Sequence, residues 1–293
     1  MGKKIVTISI HPWNRKDYPG WKSKSELKKE HLMPSPNAKP RAVVMRDNSY
    51  GGPYLLYDET KTVPYRVTQK MKKEKELRRK KYTCKMCGRH VNERKAKSRY
   101  DTTWVSSLNI CSRCYMKQFT GYKNVIIYDA ETTGLNPESD ELLSLSIIDL
   151  EGNVLFYKYF KPENNAEWPM AEIINGISPE DVANKNPARM YVDEIQKIFS
   201  EADLLVTYNG TGFDDFFLRA IGVQIPDVKK CDVMLEYAKI IGEWDYYHGG
   251  WKWHKLIDCA ENYGYEFDAH DALEDARATL WCFKKMTTVA NDE

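Results

Sequence analysis

The chain has 293 residues, 42% hydrophobic and 29% charged, with a net charge of +2, which is ordinary soluble composition with room for one large domain and a smaller one. No stretch approaches the roughly eighteen consecutive apolar residues of a membrane span. The opening Met1-Gly2-Lys3-Lys4-Ile5-Val6-Thr7 lacks an apolar core and has Val6 where a myristoylation signal needs Ser or Thr, so export, membrane association and lipid anchoring are unexpected and a cytoplasmic location is expected.

The near-neutral total hides a division. Residues 1–123 carry 30 Lys and Arg against 10 Asp and Glu, a balance of +20, and residues 124–293 carry 14 against 32, a balance of −18. A single charge run is usually a solvated face. An asymmetry of this size instead gives the halves opposite partners: a polyanion for the first, metal ions held by inward carboxylates for the second.

Residues 1–81 read as a basic arm and linker, partly ordered. The stretch 22–29 is basic with helical character, and Pro34, Pro36 and Pro40 break any regular element after it. Tyr50-Gly51-Gly52-Pro53 is a turn, and Tyr54-Leu55-Leu56-Tyr57 a short strand that packs on something later. Residues 69–81, with Lys70, Lys72, Lys73, Lys75, Arg78, Arg79, Lys80 and Lys81 and few apolar residues, form an exposed helix charged nearly all round, either a linker or a grip for phosphates.

Cys84-Lys85-Met86-Cys87 and Cys111-Ser112-Arg113-Cys114 are two Cys-x-x-Cys knuckles separated by 23 residues, the ligand count and spacing of a tetrahedral zinc site. Gly88 eases the turn after the first pair. Disulfides or a redox pair are the alternatives, and the cytoplasmic reading argues against them. The module, residues 82–120, is similar to a zinc ribbon. Four thiolates leave one structural Zn2+ no open position, so it folds the module rather than catalyses. His90 reads as a bystander, and Cys231, Cys259 and Cys282 as buried fillers. Trp104, Tyr115 and Phe119 are candidates to stack on unpaired bases, with packing in the ribbon core as the alternative.

From residue 124 the pattern becomes an α/β alternation, one domain over 121–293. Val125-Ile126-Ile127-Tyr128 is a buried central strand that runs into Asp129-Ala130-Glu131-Thr132-Thr133-Gly134. Residues i and i+2 of a strand face the same side, so Asp129 and Glu131 project together and repel unless a hard divalent cation sits between them. A hairpin follows, 141–150 and 153–160 joined at Glu151-Gly152, then a helical region at 188–202, a strand at 204–208, a helix from Asp214, a strand near 230–232, and helices at about 233–242, 254–263 and 271–288. Two further acidic positions stand at ligand-binding ends of such a sheet. Gly210-Thr211-Gly212-Phe213-Asp214-Asp215 follows one strand, and Ala269-His270-Asp271-Ala272-Leu273-Glu274-Asp275 opens the last helix.

Asp129-x-Glu131-Thr-Thr-Gly, Phe213-Asp214-x-x-Phe217-Leu218 and Ala269-His270-x-Ala-Leu-x-Asp275-Ala-x-Ala-Thr, in this order, resemble the motifs of the DEDDh (DnaQ-like) family of 3′-to-5′ exonucleases, the proofreading subunits of bacterial DNA polymerase III above all. Asn175-Gly176-Ile177-Ser178 is similar to the family's His-Gly-Ile-Thr segment, with Asn175 in place of His. Asn209 lies five residues before Asp214 where the family has four, so the Gly-rich loop carries one extra residue. The resemblance spans about residues 124–288 and implies an α/β, ribonuclease-H-like mixed sheet flanked by helices, preceded here by the small basic ribbon-like module.

The resemblance further implies two Mg2+ or Mn2+ ions held by Asp129, Glu131, Asp214 and Asp275, stabilising both ends of an in-line displacement from about 4 Å apart. His270 becomes the general base, and Thr132, Thr133, Gly134, Leu135 and Asn209 hold the terminal nucleotide. The function so implied is 3′-to-5′ exonuclease action on single-stranded DNA or frayed ends, with RNA trimming second. A non-enzymatic nucleic-acid adaptor with an inert fold is the reading from another class, against which the intact quartet with His270 speaks. Single-stranded nucleic acid is the expected partner, DNA favoured over RNA, with a protein partner for the amino-terminal half as the alternative.

Overall fold

A computed structural model of the chain describes residues 8–44, 53–67, 69–96 and 104–288, so the opening segment and the Tyr50-Gly51-Gly52 part of the expected turn lie outside the described residues. Two compact units emerge, Met1–Glu76 and Leu77–Glu293.

In the first unit, β1 (Ile8–Ile10), β2 (Trp21–Ser23), β4 (Ala42–Val44) and β5 (Tyr54–Asp58) form a sheet in the order β1-β4-β5-β2, parallel between β1 and β4 and antiparallel elsewhere. Its apolar face gathers Ile10, Ala42, Val44 and Leu56. The helix α1 (Lys24–Lys29) starts at a capping box in which the Glu26 N–H donates to Ser23 Oγ at 3.2 Å and the Ser23 N–H to Glu26 Oε2 at 2.6 Å. A two-stranded ribbon of β3 (Leu32–Pro34) and β6 (Thr62–Pro64) completes it. The stretch expected as a partly ordered arm is therefore folded over its described residues, and Tyr54–Asp58 pairs with earlier strands rather than packing on something later. Most of these strands are three residues long, too short for a period of two to register in sequence. The charged helix α2 (Gln69–Lys81) buries none of its residues, and the division between the units falls within it.

The second unit opens on α3 (Glu93–Ala96), a short hairpin of β7 (Trp104–Val105) and β8 (Ile110–Cys111), and α4 (Ser112–Met116). Its sheet has β9 (Val125–Thr132) at the centre, antiparallel β10 (Leu142–Asp149) and β11 (Val154–Tyr159) on one side, and parallel β12 (Leu204–Thr207) and β13 (Lys229–Asp232) on the other, in the order β11-β10-β9-β12-β13. This is the expected ribonuclease-H-like mixed sheet. Helices α5 (Pro169–Asn175), α6 (Pro179–Val182), α7 (Val192–Ser200), α8 (Asp214–Ala220), α9 (Val233–Ile241), α10 (Leu256–Asn262) and α11 (Ala272–Thr288) surround it, and a hairpin of β14 (Trp244–Asp245) and β15 (Gly250–Trp251) joins α9 to α10.

The alternation along β9 builds the layers. Ile126, Tyr128 and Ala130 enter the core with Phe199 of α7 and Phe217 and Leu218 of α8, while Val125 and Ile127 enter the core with α9, α10 and α11. That second core also contains Val105, Met116 and Phe119 of the ribbon-like segment, so the later part of residues 82–120 shares the interior of 121–293, while Tyr82, Cys84, Val91, Trp104 and Cys111 form a small cluster of their own in the same compact unit.

Candidate active site

Asp129 and Glu131 continue the β9 face that carries Val125 and Ile127, at the end of the strand where α11 begins. Their opposite numbers on β10 are the buried Ser146 and Ser144, small enough to leave space beside the carboxylates. The pairing register slips between Leu142 and Ser144, a β-bulge that twists the strand end locally. From the other side α11 packs on β9 and β10, and its Ala272, Ala276 and Thr279 are buried. A small-residue face brings the helix backbone close, so the short side chain of Asp275 reaches the strand carboxylates.

Asp214 arrives from the Gly-rich loop after β12. The Asn209 N–H donates to Asp232 Oδ1 at 2.9 Å and Thr211 Oγ1 to Asp232 Oδ2 at 2.6 Å, which pins the loop to the end of β13. A Cβ on Gly210 would lie 2.5 Å from Asp214 Oδ2 and 2.7 Å from Thr207 Cβ, so only glycine lets the loop close over the carboxylate. The Ala130 N–H then donates to Asp214 Oδ1 at 3.0 Å. The neighbouring Asp215 turns elsewhere. Its carboxylate is buried and accepts from Tyr128 Oη at 2.5 Å and from the partly exposed Lys230 Nζ at 2.6 Å.

Charge crowding defines the site. Burial, then the charges of Asp214, Asp275 and Glu131, hold the Asp129 carboxyl well above its ordinary range. Burial followed by Asp275 and Asp214 pushes Glu131 up to about 8, although an Asn175 hydrogen bond works the other way. Burial takes Asp214 to about 7, opposed by the Ala130 N–H, and burial takes Asp275 to about 7, opposed by the His270 N–H. Ligand atoms of Glu131, His270 and Asp275 lie within 4.8 Å of one another, while Asp129 and Asp214 join this group through their fields rather than within that radius. The arrangement fits hard divalent cations, because each carboxylate raises its neighbours' affinity for protons and a cation replaces those protons.

His270 is exposed, at φ +75°, with its N–H 3.2 Å from Asp275 Oδ1. The adjacent Asp271 anchors that loop, a role the sequence had not suggested. Its Oδ1 accepts the N–H groups of Leu273 and Glu274 at the start of α11, at 3.0 and 3.1 Å, and its Oδ2 accepts Tyr157 Oη at 2.8 Å and Tyr159 Oη at 3.2 Å. Asn175, the family position normally His, was likewise missed as a contact. Its Nδ2 lies 3.2 Å from the Thr132 carbonyl, its Oδ1 accepts the Ile177 N–H at 3.1 Å, and it touches the Glu131 carboxyl. Its place in the motif was the available signal.

Among the residues expected to hold the nucleotide, Thr132 Oγ1 donates to the Gly134 carbonyl at 2.6 Å and Thr133 Oγ1 accepts the Glu141 N–H at 2.9 Å, so both hydroxyls shape the turn. A Cβ on Gly134 would come 2.4 Å from Asp140 Oδ2. Leu135 is 83% exposed, and Asn209, at φ +66°, enters through its backbone.

Away from this site, Cys84, Cys87, Cys111 and Cys114 bring their sulfurs within 4.8 Å of one another as free thiols. Cys87 Sγ and Cys111 Sγ are 3.7 Å apart, far beyond a disulfide bond and close to the roughly 3.8 Å edge of a tetrahedron with metal–sulfur bonds of about 2.3 Å. Burial opposes ionisation of Cys84, but the N–H groups of Cys111, Cys87 and Met86 more than offset it and bring the thiol down to about 6. The set fits a closed tetrahedral cation. The aromatic residues suggested for base stacking do not serve it: Trp104 and Phe119 are buried in packing and Tyr115 Oη donates to Glu236. Trp104 fills the small cluster around the knuckles, and Phe119 and Tyr115 fill the core shared with β9.

Uncharacterized exonuclease CP81 of Escherichia phage 186 is 30% identical over 171 residues, covering 53% of this chain and 84% of its own. The PolC-type DNA polymerase III of Thermotoga maritima is 30% identical over 176 residues, 57% of this chain but only 12% of the polymerase. Among solved structures, a complex of E. coli exonuclease I with single-stranded DNA aligns with 57% of this chain and 40% of that one, at 23% identity and a TM-score of 0.46. The RNase T exonuclease family model matches residues 126–283, all four carboxylates and His270 among them, and the chain belongs to that exonuclease family, in its DEDDh, DnaQ-like form.

Proposed function

We propose that this exonuclease is a divalent-metal-dependent enzyme that removes nucleotides from the 3′ end of single-stranded DNA or frayed ends. The observation that carries the reading is the convergence of Asp129, Glu131, Asp214 and Asp275, whose carboxyls are all held above their ordinary range. Those four would hold two Mg2+ or Mn2+ ions, which when bound stabilise charge on the attacking and leaving oxygens of an in-line displacement. His270, exposed beside Glu131 and Asp275, takes the proton of the attacking water as the P–O3′ bond breaks and the terminal nucleoside monophosphate leaves. The turn from Thr132 to Leu135 meets the terminal nucleotide, with Leu135 as the apolar contact. DNA is favoured over RNA because one relative is a DNA polymerase.

Cys84, Cys87, Cys111 and Cys114 would hold one structural Zn2+, the cation suited to four thiolates. The basic amino-terminal half is proposed to capture the strand. The decisive assay incubates 5′-labelled single-stranded DNA and RNA of one sequence with magnesium, manganese or chelator. Shortened products that keep the label, formed with metal and absent with chelator, are expected, DNA faster than RNA. Intact substrate with both metals overturns the reading, and release of the labelled terminal nucleotide overturns the polarity.

A further inference from the structure

The first unit contains a cavity of about 370 Å³ between α1, the β3–β6 ribbon and the turn after β3, within the ~300–1,000 Å³ range of ordinary ligand pockets. Its floor is apolar, with Leu32 and Met33, and its rim carries two lysines and two tyrosines. Lys24 and Lys28 are one helical turn apart on α1, so both ammonium groups reach the same side. Lys24 Nζ stands 5.6 Å from the ring centre of Tyr57 and Lys28 Nζ 5.4 Å from that of Tyr65. No carboxylate lines the cavity, and among the described residues neither ammonium has an ion-pair partner. Lys22 differs, with both Glu30 and Glu59 at 2.9 Å. Two uncompensated cations, with the Tyr57 ring buried and the Tyr65 ring partly exposed beside them, suit a ligand that has a flat face and an anion a few ångströms apart.

We infer that this cavity is a second nucleic-acid site, taking one nucleotide of a single strand, with its base against Tyr65 over the Leu32 and Met33 floor and its flanking phosphates on Lys24 and Lys28. The choice of occupant rests on the nuclease reading above and on charge complementarity. The site lies in the half of the chain with a balance of +20, and it lies outside the region that matches the exonuclease family, residues 126–283. A base needs only a π-face, so the site holds strands without reading sequence, and each phosphate it neutralises adds to the salt dependence of binding.

The test measures binding of a labelled oligodeoxythymidylate to full-length Asp129→Ala, which blocks hydrolysis, across a salt series. K24Q/K28Q in this background should weaken binding and make the slope of log affinity against log salt shallower by about 0.7 per lost phosphate contact. Tyr65→Ala should weaken binding at least about fivefold with little change of slope, and Tyr65→Phe should restore it, because stacking needs the ring and not the hydroxyl. Affinity and slope unchanged in both K24Q/K28Q and Tyr65→Ala would overturn the site. Equal competition by polyglutamate would overturn it in favour of an acidic peptide. Wild-type hydrolysis is scored separately: if it is absent while the pocket variants still lose binding, the nuclease reading falls and the pocket stands.

Discussion

Adjacent aspartates at the start of α8 have opposite fates, and the cause is what each one faces. Asp215 meets Tyr128 and Lys230 and is fully compensated, whereas Asp214 meets the Ala130 N–H and a field of other carboxylates. Asp215→Asn should therefore cost stability, about 3 kcal/mol or more because Lys230 is left half-buried and unpaired. Asp129→Ala should abolish hydrolysis while the fold persists, since it removes a repelling charge. His270→Ala should keep metal binding and lose about a hundredfold to ten-thousandfold in rate. Thermal melts beside the end-labelled assay separate the three, and an active Asp129→Ala would end the quartet's role. The same crowding sets a pH dependence. Carboxyls raised in the folded state add stability that is complete below the ordinary carboxyl range near 4 and is lost as pH rises through about 7 to 8. Metal-free protein should melt at progressively lower temperature from pH 5 to pH 8, Glu131→Gln should flatten that fall, and magnesium or manganese should cancel it. A metal-free melting temperature that rises over this range would contradict the site electrostatics.

Among the elements, α11 holds Asp275 in its first turn and follows directly on the loop that carries His270. Asp271 caps its first turn and is itself gripped by Tyr157 and Tyr159 of the edge strand β11, so the loop with His270 hangs from a strand of the hairpin. If His270 is the proton acceptor as proposed, replacing both tyrosines by Phe should lower kcat about tenfold or more with KM nearly unchanged, because His270 shifts while the proposed nucleotide contacts of the Thr132–Leu135 turn stay; a change confined to KM would refute it. Several elements were legible in the residues themselves. Leu204-Leu205-Val206 is a continuous apolar run, extended by the buried Thr207, because both faces of β12 are covered, and the i, i+2 spacing of Asp129 and Glu131 placed them on one face at once. Others were not. The three-residue strands of the first unit hold too few positions to show a period, and α5 follows Trp168 with no side-chain cap to announce it. The Asn175 contact to Glu131 joins distant segments, and no local pattern encodes such a meeting.

At the scale of the whole molecule, the boundary that charge suggested near residue 123 is not where the chain divides. The compact unit begins at Leu77, and Val105, Met116 and Phe119 lie in the same core as Ile127, Tyr237 and Met286. A chain starting at residue 77 should be soluble and cleave short oligonucleotides. One starting at 121 forfeits three buried side chains at about 1.5–3 kcal/mol each, comparable to the whole stability of a domain, and should aggregate or melt far lower. Equal melting of the two truncations would show the cysteine module to be separable after all. Stripping the Zn2+ proposed for the four thiolates with a strong chelator, or Cys87→Ser, should likewise lower the melting temperature of the entire 77–293 unit, with no rescue by magnesium.

The shared interior of knuckle and nuclease also bears on inheritance. A module joined by a linker can be exchanged between proteins as a cassette, but this one cannot leave without its socket. Substitutions at Met116 or Phe119 must be answered on α9 and α11, so the cysteine segment and the catalytic domain should drift together, and any graft of one onto a foreign partner has to carry the facing surface with it.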